Sequence, residues 1–130
     1  MRIAFTDREL DVMAVLWDRG SGTVAEVRAA LADPFAYTTV LTVLRTLEEK
    51  GYVKHVAEGK AHRYVPAVEP EVAGRSALKR ILDTMFAGSP ELLLTQLVSD
   101  RKLDKKKLRQ LRSLLDAHLA STKDSGRDAR

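Results

Sequence analysis

The sequence contains no cysteine in its 130 residues, which removes disulfides, thiolate metal sites and thiol nucleophiles together and suits a reducing compartment. The opening Met1-Arg2-Ile3-Ala4-Phe5-Thr6-Asp7 has no apolar run of signal-peptide length. Nor does any stretch of about 18 uncharged apolar residues occur elsewhere, so neither export nor membrane insertion is expected and the cytoplasm is the expected location. There is no glycine-rich phosphate loop and no His pair with Glu at metalloprotease spacing, and the three histidines have no nucleophile pattern beside them. No repeat or low-complexity tract stands out. An enzyme is not expected, and no cofactor is implied.

At this length the chain has room for one ordinary domain or two small ones, each hard pressed to bury a generous core unaided. The formal charge is +4, unevenly spread. Met1 to Pro66 carries nine Lys/Arg against nine Asp/Glu, whereas the remainder carries thirteen against nine. Any inference toward a polyanion therefore rests on local placement of charge and not on the total.

Thr6 with Glu9 three residues later is a capping-box pattern, and Leu10, Met13, Leu16 and Trp17 continue a first helix to Gly20. After a Ser21-Gly22 turn, Thr23 with Glu26 repeats the signal for a short second helix with Val24, Val27 and Leu31 on its apolar face. Asp33-Pro34-Phe35 breaks it. From Ala36 to Lys50, Val40, Val43, Leu44 and Leu47 form the stripe of a third helix, closed by Gly51. Its other side carries Thr38, Thr42 and Arg45 and no acid near its start. Threonine lowers helix propensity, so a threonine-rich outer face has two readings at this point: close approach to phosphates and base edges, or a polar face with incidental threonines. Arginine can grip guanine through two hydrogen bonds, worth about 1–3 kcal/mol of discrimination.

Two β-prone runs, Tyr52 to Ala57 and Ala61 to Pro66, surround Glu58-Gly59-Lys60 and predict a hairpin. Three helices followed by a hairpin predict a winged helix-turn-helix, the third helix entering the major groove and the hairpin offering Lys54, Lys60 and Arg63 to the backbone. The expected fold class is mainly α with a small β-hairpin: a DNA-binding domain over 1–66, a helical dimerisation domain over 67–120 and a disordered tail over 121–130. In the second part, Glu69-Pro70-Glu71, Ser89-Pro90-Glu91 and Asp104 open three leucine-rich helices. Their apolar faces exceed what about 50 residues bury alone, each exposed leucine forgoing about 1.5–3 kcal/mol. Leu78, Leu82, Met85, Leu93, Leu97, Leu108, Leu111 and Leu115 are the candidate dimer contacts.

These residues resemble the BlaI/MecI penicillinase-repressor family of bacterial winged-helix transcriptional repressors, to which the copper-responsive CopY repressors also belong. The resemblance runs through Glu9, Leu10, Val12, Met13 and Trp17, Thr23 to Val27, Tyr37 to Leu47, Lys50-Gly51 and His62 to Pro66, and weakens in the C-terminal helices. It implies a homodimer that blocks transcription from an inverted-repeat operator in double-stranded DNA. The family's DNA-facing positions fall here on Tyr37, Thr38, Thr39, Thr42 and Arg45, three of which the helical wheel selects by itself. It also implies a membrane sensor-protease pathway acting through an Asn-Phe bond, but the corresponding place here reads Gln96-Leu97. Copper sensing of the CopY kind is excluded by the absence of cysteine.

Other readings stand beside this one. His55 and His62 lie on opposite hairpin arms and can face each other, but two imidazoles without a third ligand make a poor zinc site, and no metal is expected. Trp17 and Tyr64 belong to apolar runs and are expected in the core. Arg101 to Arg112 holds seven basic residues in twelve, read as a solvated helix face, with a second DNA-backbone contact as the sharper alternative. The alternative functions are a winged-helix protein-interaction adaptor and a nonspecific architectural DNA binder using 101–112.

Overall fold

Two threonines start the fold. In the computed structural model, which describes residues 3–100 and 102–128, the Thr6 hydroxyl accepts from the Glu9 amide at 3.2 Å while the Glu9 carboxylate accepts from the Thr6 amide at 2.8 Å. Helix α1 follows over Asp7–Arg19. Thr23 and Glu26 repeat the reciprocal pair ahead of α2, Val24–Ala30. Helix α3, Tyr37–Glu49, begins at Ala36 without a side-chain cap and ends where Gly51 takes φ 83°. That left-handed value favours glycine.

Three strands complete the first region: β1, Gly22–Thr23; β2, Val53–Glu58; and β3, Ala61–Pro66. β2 and β3 form the expected hairpin, with Glu58 opposite Ala61 and Gly59 at φ 62° in the turn. β1 was expected to be only a turn. It pairs Gly22 with Tyr64 and Thr23 with Arg63, giving the order β1-β3-β2. Two residues carry no readable alternation, so the pairing has no sequence signal. Gly22 also sits in a tight place, since a Cβ there would meet Val27 Cγ2 at 3.0 Å and Val27 would have to give by a few tenths of an ångström.

The core draws Val12, Met13 and Leu16 from α1, Val24 and Val27 from α2, Val40, Leu44 and Leu47 from α3, and Val53 and Tyr64 from the hairpin. Tyr64 is buried as expected, and half-buried Trp17 packs against this core with its indole N–H donating to the Val68 carbonyl at 2.9 Å.

Helix α4, Pro70–Met85, starts inside the same unit. Ala73 is buried with the core, and the Ser76 hydroxyl both accepts from the Ile3 amide and donates to the Ile3 carbonyl, at 3.0 and 3.1 Å. The chain divides into compact units Met1–Ile81 and Leu82–Arg130, so the boundary expected after Pro66 falls within the first. Helical periodicity cannot tell which neighbour a helix packs on, which is why α4 read as part of the second domain.

The second unit continues with α5, Pro90–Asp100, and α6, Lys105–Asp128. The Ser89 hydroxyl accepts from the Leu92 amide at 3.2 Å, and the Asp104 carboxylate accepts from the Lys107 amide at 2.7 Å, as their sequence positions predict. α6 is helical as far as Asp128, although a tail was expected from residue 121. Apolar periodicity stops near Ala120, but adding residues to a helix already nucleated costs far less than starting one, Lys123 and Arg127 favour it, and no proline interrupts it, so the helix runs on through Gly126. Residues 129–130 lie outside the described residues. No described helix is long and apolar enough to cross a membrane.

Candidate nucleic-acid interface

Burying Val40, Leu44 and Leu47 turns the opposite side of α3 outward. Tyr37, Thr38, Thr42 and Arg45 are exposed there, while Thr39 is half-buried at the edge. The first turn of α3 holds no acid, so nothing there repels a phosphate. The Thr42 hydroxyl donates to the Thr38 carbonyl and the Thr46 hydroxyl to the Thr42 carbonyl, each at 2.9 Å. Each proton is thereby committed to the helix, and the Thr42 oxygen remains an acceptor able to meet an amino group on a base edge. Arg45 forms no ion pair with a described carboxylate.

The three wing residues chosen from sequence separate into two kinds. Lys54 and Lys60 are exposed and make no ion pair among the described residues. Arg63 instead sits in a carboxylate cage. Its Nε donates to Glu58 at 3.0 Å, one terminal nitrogen donates to Ser21 and Glu26, and the other to Glu26 and Glu58, all between 2.9 and 3.1 Å. These five bonds use all five guanidinium N–H groups. The Glu58 and Glu26 carboxylates hold the Arg63 pKa above its usual value, and the bond from Arg63 pulls the Glu26 carboxyl down. A wing strand is thereby tied to the start of α2, and Arg19 joins the same Glu26 at 3.2 Å.

On the hairpin face toward α3, the His55 and His62 rings stack with centroids 4.2 Å apart and planes 12° apart. His55 Nδ1 lies 2.5 Å from Glu48 near the end of α3. Below them burial raises the Tyr64 pKa, with Glu48 adding to the effect and Arg45 opposing it. Among the described residues no three His, Asp or Glu side chains gather as metal ligands.

The eight candidate dimer residues all lie on α4, α5 and α6, and none is buried by the chain itself. Sequence reasoning missed Arg8 and Arg28, which flank Phe35 just ahead of α3. It also missed the pairing of Glu9 with Lys50, at 2.8 and 3.0 Å. Both join residues from different elements, so no local spacing announces them.

Comparison with known proteins adds an independent line. A family model described as penicillinase repressor matches residues 5–117. The penicillinase repressor of Bacillus licheniformis is 27% identical over 119 residues, covering 87% of this chain and 90% of that protein. The transcriptional regulator BlaI of Mycobacterium tuberculosis is 44% identical over 63 residues, 46% of either chain, so the match spans about half of that relative's length. Among solved structures, a mutant of Escherichia coli MarR complexed with operator DNA aligns with a TM-score of 0.53 at 15% identity, covering 88% of this chain and 76% of that one. That last likeness is one of fold.

Proposed function

The chain belongs to the penicillinase repressor family, and from that premise we propose that it is a sequence-specific, DNA-binding transcriptional repressor acting as a homodimer on an inverted-repeat operator. The observation that carries this reading is the outer face of α3, whose first turn is acid-free and whose Arg45 is uncommitted. Thr38, Thr39, Thr42 and Arg45 read or position bases. Tyr37, Lys54 and Lys60 hold the backbone. Arg63 fixes the wing against α2, and it reaches a phosphate only by giving up a Glu58 or Glu26 bond. The open leucines of α4 to α6 set the spacing of two recognition helices. Repression is by occupancy, without a catalytic step, in the cytoplasm. A membrane sensor-protease pathway is the proposed inducing partner, although the family's Asn-Phe bond is not present at Gln96-Leu97 in α5.

The test is equilibrium binding to the DNA upstream of the chain's own gene and to a scrambled duplex of equal length, at two salt concentrations. A preference of about a thousandfold for the natural duplex is expected. Equal binding to both overturns sequence-specific reading in favour of an architectural binder using the basic start of α6, and binding to neither favours an adaptor. Arg45→Ala should weaken operator binding about tenfold or more, with little change on the scrambled duplex. An unchanged operator affinity would remove Arg45 from the base-reading set.

A further inference from the structure

Phe35, two residues ahead of α3, is held from two sides by arginines on different helices. Arg8, in the first turn of α1, places its guanidinium carbon 4.8 Å from the Phe35 ring centroid. Arg28, in the last turn of α2, donates its Nε–H to the Phe35 carbonyl at 2.8 Å. Both arginines are exposed, and neither pairs with a described carboxylate. The carbonyl bond uses one of the five donors of Arg28, and the ring contact uses none of Arg8's. Arg63 is the opposite case: its donors are all satisfied inside the protein. Arg8 and Arg28 are oriented by Phe35 while their hydrogen-bonding ends stay open, and Phe35 itself is anchored against the core. An arginine oriented in advance loses less side-chain freedom when it binds an oxyanion.

We propose that Arg8 and Arg28 form a phosphate clamp that grips the DNA backbone beside the bases read by α3. The ligand is the phosphodiester, one phosphate to each guanidinium, and the contact is independent of sequence. The clamp concentrates positive charge at the entrance of the recognition helix, in a half of the chain whose acidic and basic residues cancel in total. Its Phe35 pivot ties the contact to the start of α3, so gripping the backbone also fixes the depth of the base-reading face.

This inference rests on the DNA-binding reading of α3, and the experiment separates the two. Wild type, Arg8→Gln, Arg28→Gln and the double variant are titrated with the upstream and scrambled duplexes between 50 and 200 mM salt, after thermal melts confirm folding. Each single change should reduce the slope of log affinity against log salt by about 0.9, and the double change by about 1.8. Over that fourfold salt range the double variant should lose about tenfold less affinity than wild type, equally on both duplexes. Arg8→Lys and Arg28→Lys should keep the wild-type slope, because an ammonium still neutralises a phosphate. Glutamine variants with the wild-type slope overturn the clamp while leaving the α3 reading intact. Lysine variants that lose slope as fully as glutamine ones reduce the arginines to seating α3 and also overturn it. A wild-type chain that binds neither duplex overturns both readings.

Discussion

The two units use the same helical periodicity to opposite ends. In Met1–Ile81, thirteen apolar residues, most of them from helices and hairpin, are buried together. In Leu82–Arg130 no described residue is buried, and leucines such as Leu92, Leu97, Leu115 and Leu119 stand open. The first unit has a sheet to close over its helices; α5 and α6 have stripes of leucine that the described residues of their own unit leave unburied. An apolar stripe states that a face needs covering and is silent on what covers it. A second copy of the chain is the cover that the proposed homodimer supplies.

The sharpest way to break this contrast is to damage each unit by the same chemistry. Leu44→Ala removes a fully buried side chain from α3 and should cost about 2–5 kcal/mol through lost burial and the cavity left behind. Urea unfolding followed through Trp17, the sole tryptophan and a residue of the first unit, reads that loss. Leu115→Ala removes a side chain that is 58% exposed and should leave the Trp17 transition of the monomer in place. Its effect should appear in assembly, as a rise of about tenfold or more in the dimer dissociation constant measured by sedimentation. Unchanged sedimentation over a range of concentrations would show that Leu115 lies outside the dimer contact.

The sequence was most legible where interactions are local. Both capping boxes, the α3 stripe and the glycine turn of the hairpin involve residues at most a few positions apart, and each is in its expected place. It was silent where the pairing is long-range. β1 has two residues and no period, and the start of α4 joins the first unit through Ser76 and Ile3, 73 positions apart. The candidate interface divides the same way. Thr38, Thr42 and Arg45 on the outer face of α3 followed from the helical wheel, whereas Tyr37 came only with the family resemblance and the cage around Arg63 depends on Glu26, which is 37 positions away and whose sequence signal was that of a cap. A basic residue on a wing reads as a phosphate contact until the carboxylates that fold against it are seen.

Within the first unit, two ion pairs offer a finer contrast. Glu26 and Glu58 hold Arg63 at the surface, where solvent and salt screen the pair. Glu9 is 4% exposed and receives Lys50 from beyond the end of α3 together with the Thr6 amide. Burial raises the Glu9 pKa, but the bonds from Lys50 and Thr6 outweigh it and leave the carboxyl below its usual 4.5. A carboxyl depressed in the folded state stabilises the protein above its unfolded pKa, and that stability fades as pH falls through the folded value. Glu9→Gln keeps the shape and the oxygen that accepts from Thr6, and removes the charge together with the second oxygen that accepts from Lys50 at 2.8 Å. It should cost about 1–2 kcal/mol at pH 7, and the difference from wild type should shrink as pH falls below the ordinary carboxyl value of 4.5. Glu26→Gln should cost less and respond more to added salt, because its partners are already wet. Urea unfolding of the three proteins at pH 7 and pH 3 measures both trends. A Glu9→Gln deficit that persists undiminished at pH 3 would mean the side chain's shape, and not its charge, holds α1 to the end of α3.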